Sequence, residues 1–221
     1  MIRCILRTRP NLLVLRPVYF LMTSDWIYYF GYGSLVNRDT RPAGEFSEPA
    51  VLKGWRRVWE NRTADPKRRS HRCTSLSIEA LAHPSMGSIE GVVARMPVSE
   101  LTQLDEREAG YDRLKLPVDE FELTDRVETD FVYVYQSQVL HRFLADEEHP
   151  ILQSYIDCVL AGYLTQFGRS GMQNMVNSTR GWDRPVMDDR VAPHYPRAVD
   201  IDADLQLSID QLLVSTKTPN H

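Results

Sequence analysis

Cysteine is scarce and poorly placed for pairing. Cys4, Cys73 and Cys158 are the three present, an odd number, widely separated and without a CxxC spacing, so neither a complete disulfide framework nor a paired-CxxC zinc site fits. A reducing compartment, the cytoplasm, is the expected setting. The six histidines, His71, His83, His141, His149, His194 and His221, form no HxH or HExxH, and a metal site is not expected. Positive charge is not in excess, with a formal net charge of -4. Basic residues mostly alternate with acidic ones, leaving no cationic face for a phosphate backbone, so nucleic acid is not an expected partner. No apolar run reaches the ~20 residues that a bilayer span requires, and no membrane association is expected.

What is present suits a globular protein with a sizeable core: 221 residues, 43% hydrophobic and 25% charged. Residues 1–24 differ in character, with Arg3, Arg7, Arg9 and Arg16 and no acidic residue in the stretch. They read as a targeting leader, or as upstream sequence ahead of a start at Met22; the lack of a small-residue cleavage site favours the second. Residues 25–168 are expected to form one domain, monomeric or homodimeric, and residues 169–221 an extension packed on it.

Short β-branched or aromatic stretches fill the first two thirds of the chain: WIYYF, AVLKGWRRVW, CTSLSIEAL, IEGVVARM, VDEFELT and FVYVYQ. Two helical patterns accompany them. SELTQLDEREAG offers Ser99 as a cap and Gly110 as a stop, and HPILQSYIDCVLAGYLTQFG offers Pro150 as an opening and Gly168 as a close. Beyond Gly168 the sequence is irregular until a last helical pattern, DADLQLSIDQLLVS. The basic cluster PKRRSHR at 66–72 reads as a solvated loop. The expected class is α+β: a small mixed β-barrel or curled sheet with flanking helices.

Two stretches carry candidate chemistry. In YYFGYGSLVN a buried strand runs into Gly31 and Gly33, which open unusual backbone conformations and close approach, and Ser34 adds a hydroxyl. Backbone N–H groups at such a strand end can form an anion-binding nest. The stretch lacks the third glycine of a dinucleotide fingerprint, and its serine is not in a GxSxG elbow. Alone, it reads as a strand and a permissive turn. In SELTQLDEREAGYDR a helical wheel puts Glu108 on the stripe of Leu101 and Leu104, with Glu106 opposite and Asp105 at the margin. An inward carboxylate needs a reason. Either Arg113 or another arginine neutralises it, or its environment fits it for acid–base work.

FGYGSL and LDEREAGYDR, with LKGWRRVW and IEGVVARM between them, together resemble the γ-glutamylcyclotransferase-like superfamily, and its ChaC-like branch in particular. The likeness covers roughly residues 26–136. It implies a mixed fold built on a small barrel, no cofactor or metal, and a small γ-glutamyl substrate cyclised to 5-oxoproline. It also implies Glu108 as the acid–base catalyst and Tyr32, Gly33, Ser34 and Leu35 as the substrate cradle. Tyr111, Arg113, Arg180, Trp182 and Tyr195 are candidates for the rest of the pocket by their chemistry. A non-catalytic module that binds γ-glutamyl or anionic metabolites is the competing expectation.

Overall fold

The computed structural model describes residues 25–42, 46–63 and 72–217. The leader and most of the basic cluster lie outside them. In chain order the strands and helices are β1 (Trp26–Gly31), β2 (Phe46–Lys53), β3 (Trp55–Thr63), β4 (Cys73–Ala80), β5 (Ser88–Pro97), α1 (Leu101–Arg107), β6 (Tyr111–Pro117), β7 (Phe121–Leu123), β8 (Phe131–Ser137), β9 (Ile151–Leu152), α2 (Gln153–Asn177), β10 (Thr179–Arg180), β11 (Val186–Met187) and α3 (Ala203–Lys217). The strands form two mixed sheets, ordered β6-β8-β1-β5-β2-β7 and β10-β3-β4-β9-β11. This is the expected strand-rich mixed fold.

β1 occupies the middle of the larger sheet, antiparallel to β5 and parallel to β8. Its aromatic run is explained by burial on both faces. Phe30 enters the main core with Trp59, Leu76, Val92 and Ile156, while Ile27 and Tyr29 enter a second cluster with Leu35, Met96 and Leu104. A strand buried on both sides needs this near-continuous apolar sequence.

The sheets meet along β4 and β8 through side chains. Gln136 Nε2 donates to the Ile78 carbonyl at 2.9 Å, the Ser137 N–H donates to Ser77 Oγ at 3.1 Å, and Ser137 Oγ donates to Asn61 Oδ1 at 2.6 Å. Ser77, Asn61 and Ser137 are wholly buried, so each needs such a partner.

Several local expectations change. β6 carries few apolar residues and the three two-residue strands are too short to show a period, and β7 holds only part of VDEFELT, since Val118–Glu120 is a 3-10 turn. Pro150 does not open α2: its carbonyl accepts from the Thr74 N–H at 3.0 Å, and β9 precedes the helix. Gly168, at φ 68°, breaks α2 without ending it, and the helix resumes to Asn177. Ser99 does not cap α1; it lies within the 3-10 turn Val98–Glu100. Gly110, at φ +104°, does adopt the left-handed conformation that a helix stop requires. α3 packs on α2 and sends Ile209 and Leu212 into the main core.

Candidate active site

The loop after β1 and the end of α1 converge. α1 is only seven residues long, too short to persist alone. Leu104, 1% exposed, anchors it in the second cluster beside Leu35, a burial worth roughly 2 to 3 kcal/mol. Glu108 caps the helix C-terminus, its N–H donating to the Leu104 carbonyl at 3.0 Å. This seats Glu108 on the inward side, as the wheel predicts, with its side chain 15% exposed.

Arg107 neutralises it, and Arg113 does not. Arg107 Nε donates to Glu108 Oε1 at 3.0 Å, while Nη1 donates to the Thr40 carbonyl and Nη2 reaches Ser34 Oγ at 3.4 Å. One guanidinium therefore ties the carboxylate to the glycine loop. Arg113 binds Asp105 at 2.7 Å and lies over the Tyr133 ring.

Neither Gly31 nor Gly33 lies in the left-handed region, but Gly33, at φ -122° and ψ -128°, falls outside the ordinary helical and extended regions. Both glycines also supply space. A Cβ on Gly31 would lie 2.7 Å from Leu35 Cβ, and one on Gly33 would lie 2.9 Å from the Tyr155 hydroxyl. Ser34–Val36 then forms a 3-10 turn whose own bonding starts with the Val36 N–H donating to the Gly33 carbonyl at 3.0 Å. The N–H groups of Ser34 and Leu35 precede that bond, as the first donors of any helical turn must. The Leu35 side chain is buried, which leaves its backbone as the part able to meet a ligand. The Tyr32 side chain is also buried, its hydroxyl donating to the Tyr135 carbonyl at 2.6 Å.

α2 supports the loop from behind. Asn37 Nδ2 donates to the Cys158 carbonyl at 2.9 Å, and Gly162 allows that approach, since a Cβ there would lie 2.7 Å from the Asn37 nitrogen. The Tyr32 carbonyl accepts from Arg57 Nε and from the Tyr163 hydroxyl, each at 3.0 Å. Arg57 is wholly buried, and it also donates to the Glu90 carbonyl, the Tyr163 hydroxyl and Ser178 Oγ.

Tyr32, Tyr111 and Tyr155 lie near enough to Glu108 to feel its charge. The Tyr111 hydroxyl contacts Ser75 Oγ at 2.8 Å and donates to the Leu76 carbonyl at 2.7 Å. Burial raises its pKa well above the ordinary value, and Tyr32 and Glu108 reinforce the shift. Burial does the same to Tyr155, with Tyr111, Tyr195 and Glu108 adding to it. Tyr195 packs on Tyr155 with ring centroids 4.8 Å apart. Burial pushes the Cys158 thiol up to about 11, so it stands protonated behind the loop.

Of the five candidates for the outer pocket, Tyr111 and Tyr195 come to this group. Arg180 is held by Glu79 at 3.1 Å, and Trp182 packs edge-on against Trp59 with its N–H donating to the Val176 carbonyl. Arg107, Tyr155 and Arg197 were not singled out from the sequence. Arg107 is adjacent to Glu108 and could have been found there; Tyr155 and Arg197 arrive through tertiary contacts that carry no local signature.

Among the described residues, no group of three His, Cys, Asp or Glu side chains could hold a metal ion, and no helix is long and apolar enough to cross a membrane. No curated protein matches the chain. Among solved structures, the fold is similar to YkqA from Bacillus subtilis, with 21% identity, TM-score 0.50, and 69% of this chain and 54% of that one covered. The chain thus spans about half the length of YkqA. It is also similar to a protein named gamma-glutamyl cyclotransferase, with 15% identity, TM-score 0.50 and coverage of 84% and 99%. A human protein titled uncharacterized protein loc79017 matches with 16% identity, TM-score 0.50 and the same coverage. Residues 26–172 match the family described as ChaC-like protein, and the chain belongs to that family, within the γ-glutamylcyclotransferase-like superfamily.

Proposed function

We propose that the protein is a γ-glutamylcyclotransferase that converts a γ-glutamyl amide, glutathione or a relative, into 5-oxoproline and a free amine. The observation that carries this reading is the single guanidinium of Arg107 placed between Glu108 and Ser34.

In this reaction the substrate's α-amine attacks its own γ-carbonyl, a new N–C bond forms, and the amide C–N bond breaks. One proton leaves the attacking amine and one reaches the departing nitrogen. Glu108 accepts the first and delivers the second, which asks of a single carboxylate what a positioned general acid–base group can do. Arg107 compensates its charge. The backbone N–H groups from Tyr32 to Leu35 hold the substrate carboxylate or the oxyanion, and because the loop is braced by α2 they need little reorganisation. Keeping the glutamyl chain folded between loop and carboxylate makes ring closure a matter of proximity. Ser34 orients and does not attack. No cofactor is required, and a cytoplasmic setting suits the substrate.

The test is release of 5-oxoproline from glutathione and a panel of γ-glutamyl amides by the purified chain. Turnover abolished by Glu108→Gln supports the assignment. Thermal stabilisation by these compounds without product would instead make the protein a binding module.

A further inference from the structure

The segment after β11 lies outside the residues that match the family, yet it is fastened to the helix behind the site. Asp189 accepts from the Ser154 N–H at 2.7 Å, from Ser154 Oγ at 2.6 Å and from the His194 N–H at 2.8 Å, and the Tyr195 N–H donates to Ser154 Oγ at 3.3 Å. Ser154 precedes Tyr155 on α2, so this latch sets the Tyr195 ring on the Tyr155 ring, with centroids 4.8 Å apart. Trp59 meets Tyr155 edge-on at 5.7 Å. Two aromatic contacts, one from β3 and one from the extension, thus fix where the Tyr155 ring lies.

That ring carries its hydroxyl to the glycine loop, 2.9 Å from where a Cβ on Gly33 would stand. The hydroxyls of Tyr32, Tyr111 and Tyr163 donate to the carbonyls of Tyr135, Leu76 and Tyr32. The hydroxyl of Tyr155 differs: among the described residues it has no hydrogen-bond partner, although the side chain is only 7% exposed. A polar atom in such a place ordinarily has one. Burial raises the Tyr155 pKa well above the ordinary value, so the hydroxyl keeps a proton that it can give to a ligand oxygen.

We propose that Tyr155 donates a hydrogen bond to the γ-glutamyl oxygen held on the glycine loop, and that Tyr195, from the extension, is the positioning residue that aims it. The proposal rests on the cyclotransferase reading and makes a segment beyond the family match a working part of that site.

A double-mutant cycle on 5-oxoproline release from glutathione tests it, with thermal midpoints measured on every variant. Tyr155→Phe removes the hydroxyl alone and is expected to lower kcat/KM about 10-fold, the worth of one hydrogen bond. Tyr195→Leu keeps apolar bulk but not the flat ring and is expected to lose a similar factor, whereas Tyr195→Phe keeps the ring and stays within about 2-fold of wild type. Added to Tyr155→Phe, Tyr195→Leu should cost less than about 2-fold more, because the hydroxyl it would misplace is already gone. Tyr195→Met takes its place in the cycle if Tyr195→Leu does not fold. Full activity in Tyr155→Phe overturns the proposal, and so does a folded double variant whose two losses multiply. Wild-type protein that releases 5-oxoproline from no γ-glutamyl amide defeats the cyclotransferase reading itself, and this inference falls with it.

Discussion

Arg107 Nε lies 3.0 Å from Glu108 Oε1, and the two side chains are 12% and 15% exposed. Adjacent residues rarely face one another on a helix. They do so here because Glu108 has left the helix, at φ -95° and ψ 27°, and turns back towards the guanidinium.

Replacing Glu108 with Gln keeps shape and hydrogen bonding but removes the proton carrier. Turnover is expected to fall by at least about 100-fold, with the thermal midpoint little changed. Arg107→Lys keeps the charge but not the fork that spans Glu108, Thr40 and Ser34, and a roughly 10-fold loss of kcat is expected. Full activity in either variant would remove the pair from the mechanism.

Gly33 and Gly91 should separate function from folding. A Cβ on Gly33 would crowd the far end of Tyr155 at 2.9 Å and touch Leu76 at an ordinary 3.6 Å, whereas one on Gly91 would lie 2.3 Å from the Gly31 carbonyl and 2.5 Å from the Phe30 ring. Gly33→Ala is therefore expected to fold and to lose activity as Tyr155 is displaced. Gly91→Ala is expected to lose about 2 kcal/mol or more of stability by overpacking. Denaturant melts and 5-oxoproline assays on both proteins check the pair, and equal loss of stability in both would refute the distinction.

Arg57 reaches the site only through the Tyr32 carbonyl, so it is a positioning residue. Arg57→Leu leaves the Glu90 carbonyl and Ser178 short of a donor and should cost about 2 to 3 kcal/mol in urea. Arg57→Lys keeps the charge but loses the fork. It should lower kcat more than it raises KM, since the loop's aim is what changes; a KM effect alone would point to a structural role.

Asp189 ties stability to acid. Burial works against its ionisation, but hydrogen bonds from Ser154 and His194 outweigh it and hold its pKa below the usual carboxylate value. The unfolded chain, with an ordinary aspartate near ~3.9, takes up the proton first as pH falls. The stabilisation is complete above that value and disappears as pH drops through the lower folded pKa. Asp189→Asn should cost about 1 to 2 kcal/mol at pH 7. Its deficit should shrink below pH ~4 in denaturation series run on both proteins; a constant deficit would mean that the charge is irrelevant.

Patterns within one element were readable from the sequence, and contacts between elements were not. Aromatic and β-branched content exposed β1, β3 and β8, because β1 and β8 bury consecutive side chains on both faces and β3 buries Trp55, Val58 and Trp59. The helical wheel placed Glu108 inward, yet it could not choose between Arg107 and Arg113, because that choice depends on how the helix unwinds at its last turn. Strand alternation places Arg57 on the face of Trp55 and Trp59, and their burial marks it as an interior arginine. Its acceptors lie on β5, α2 and the glycine loop, which no local pattern brings together. The close approach expected at Gly31 and Gly33 is found, but the groups that approach, Leu35 and Tyr155, are neighbours set by the fold.

The joint between the two sheets along β4 and β8 has a mechanical consequence. It is made by Gln136, Ser137, Ser77 and Asn61 side chains, and Tyr111 adds a parallel tie to Ser75 and Leu76. A fluctuation that parts this line breaks side-chain bonds while both strand ladders stay whole. Separating the sheets here would therefore cost the hydrogen bonds of buried side chains and not a strand pairing, on the line where Tyr111, whose N–H donates to the Glu108 carbonyl, reaches across to the opposite sheet.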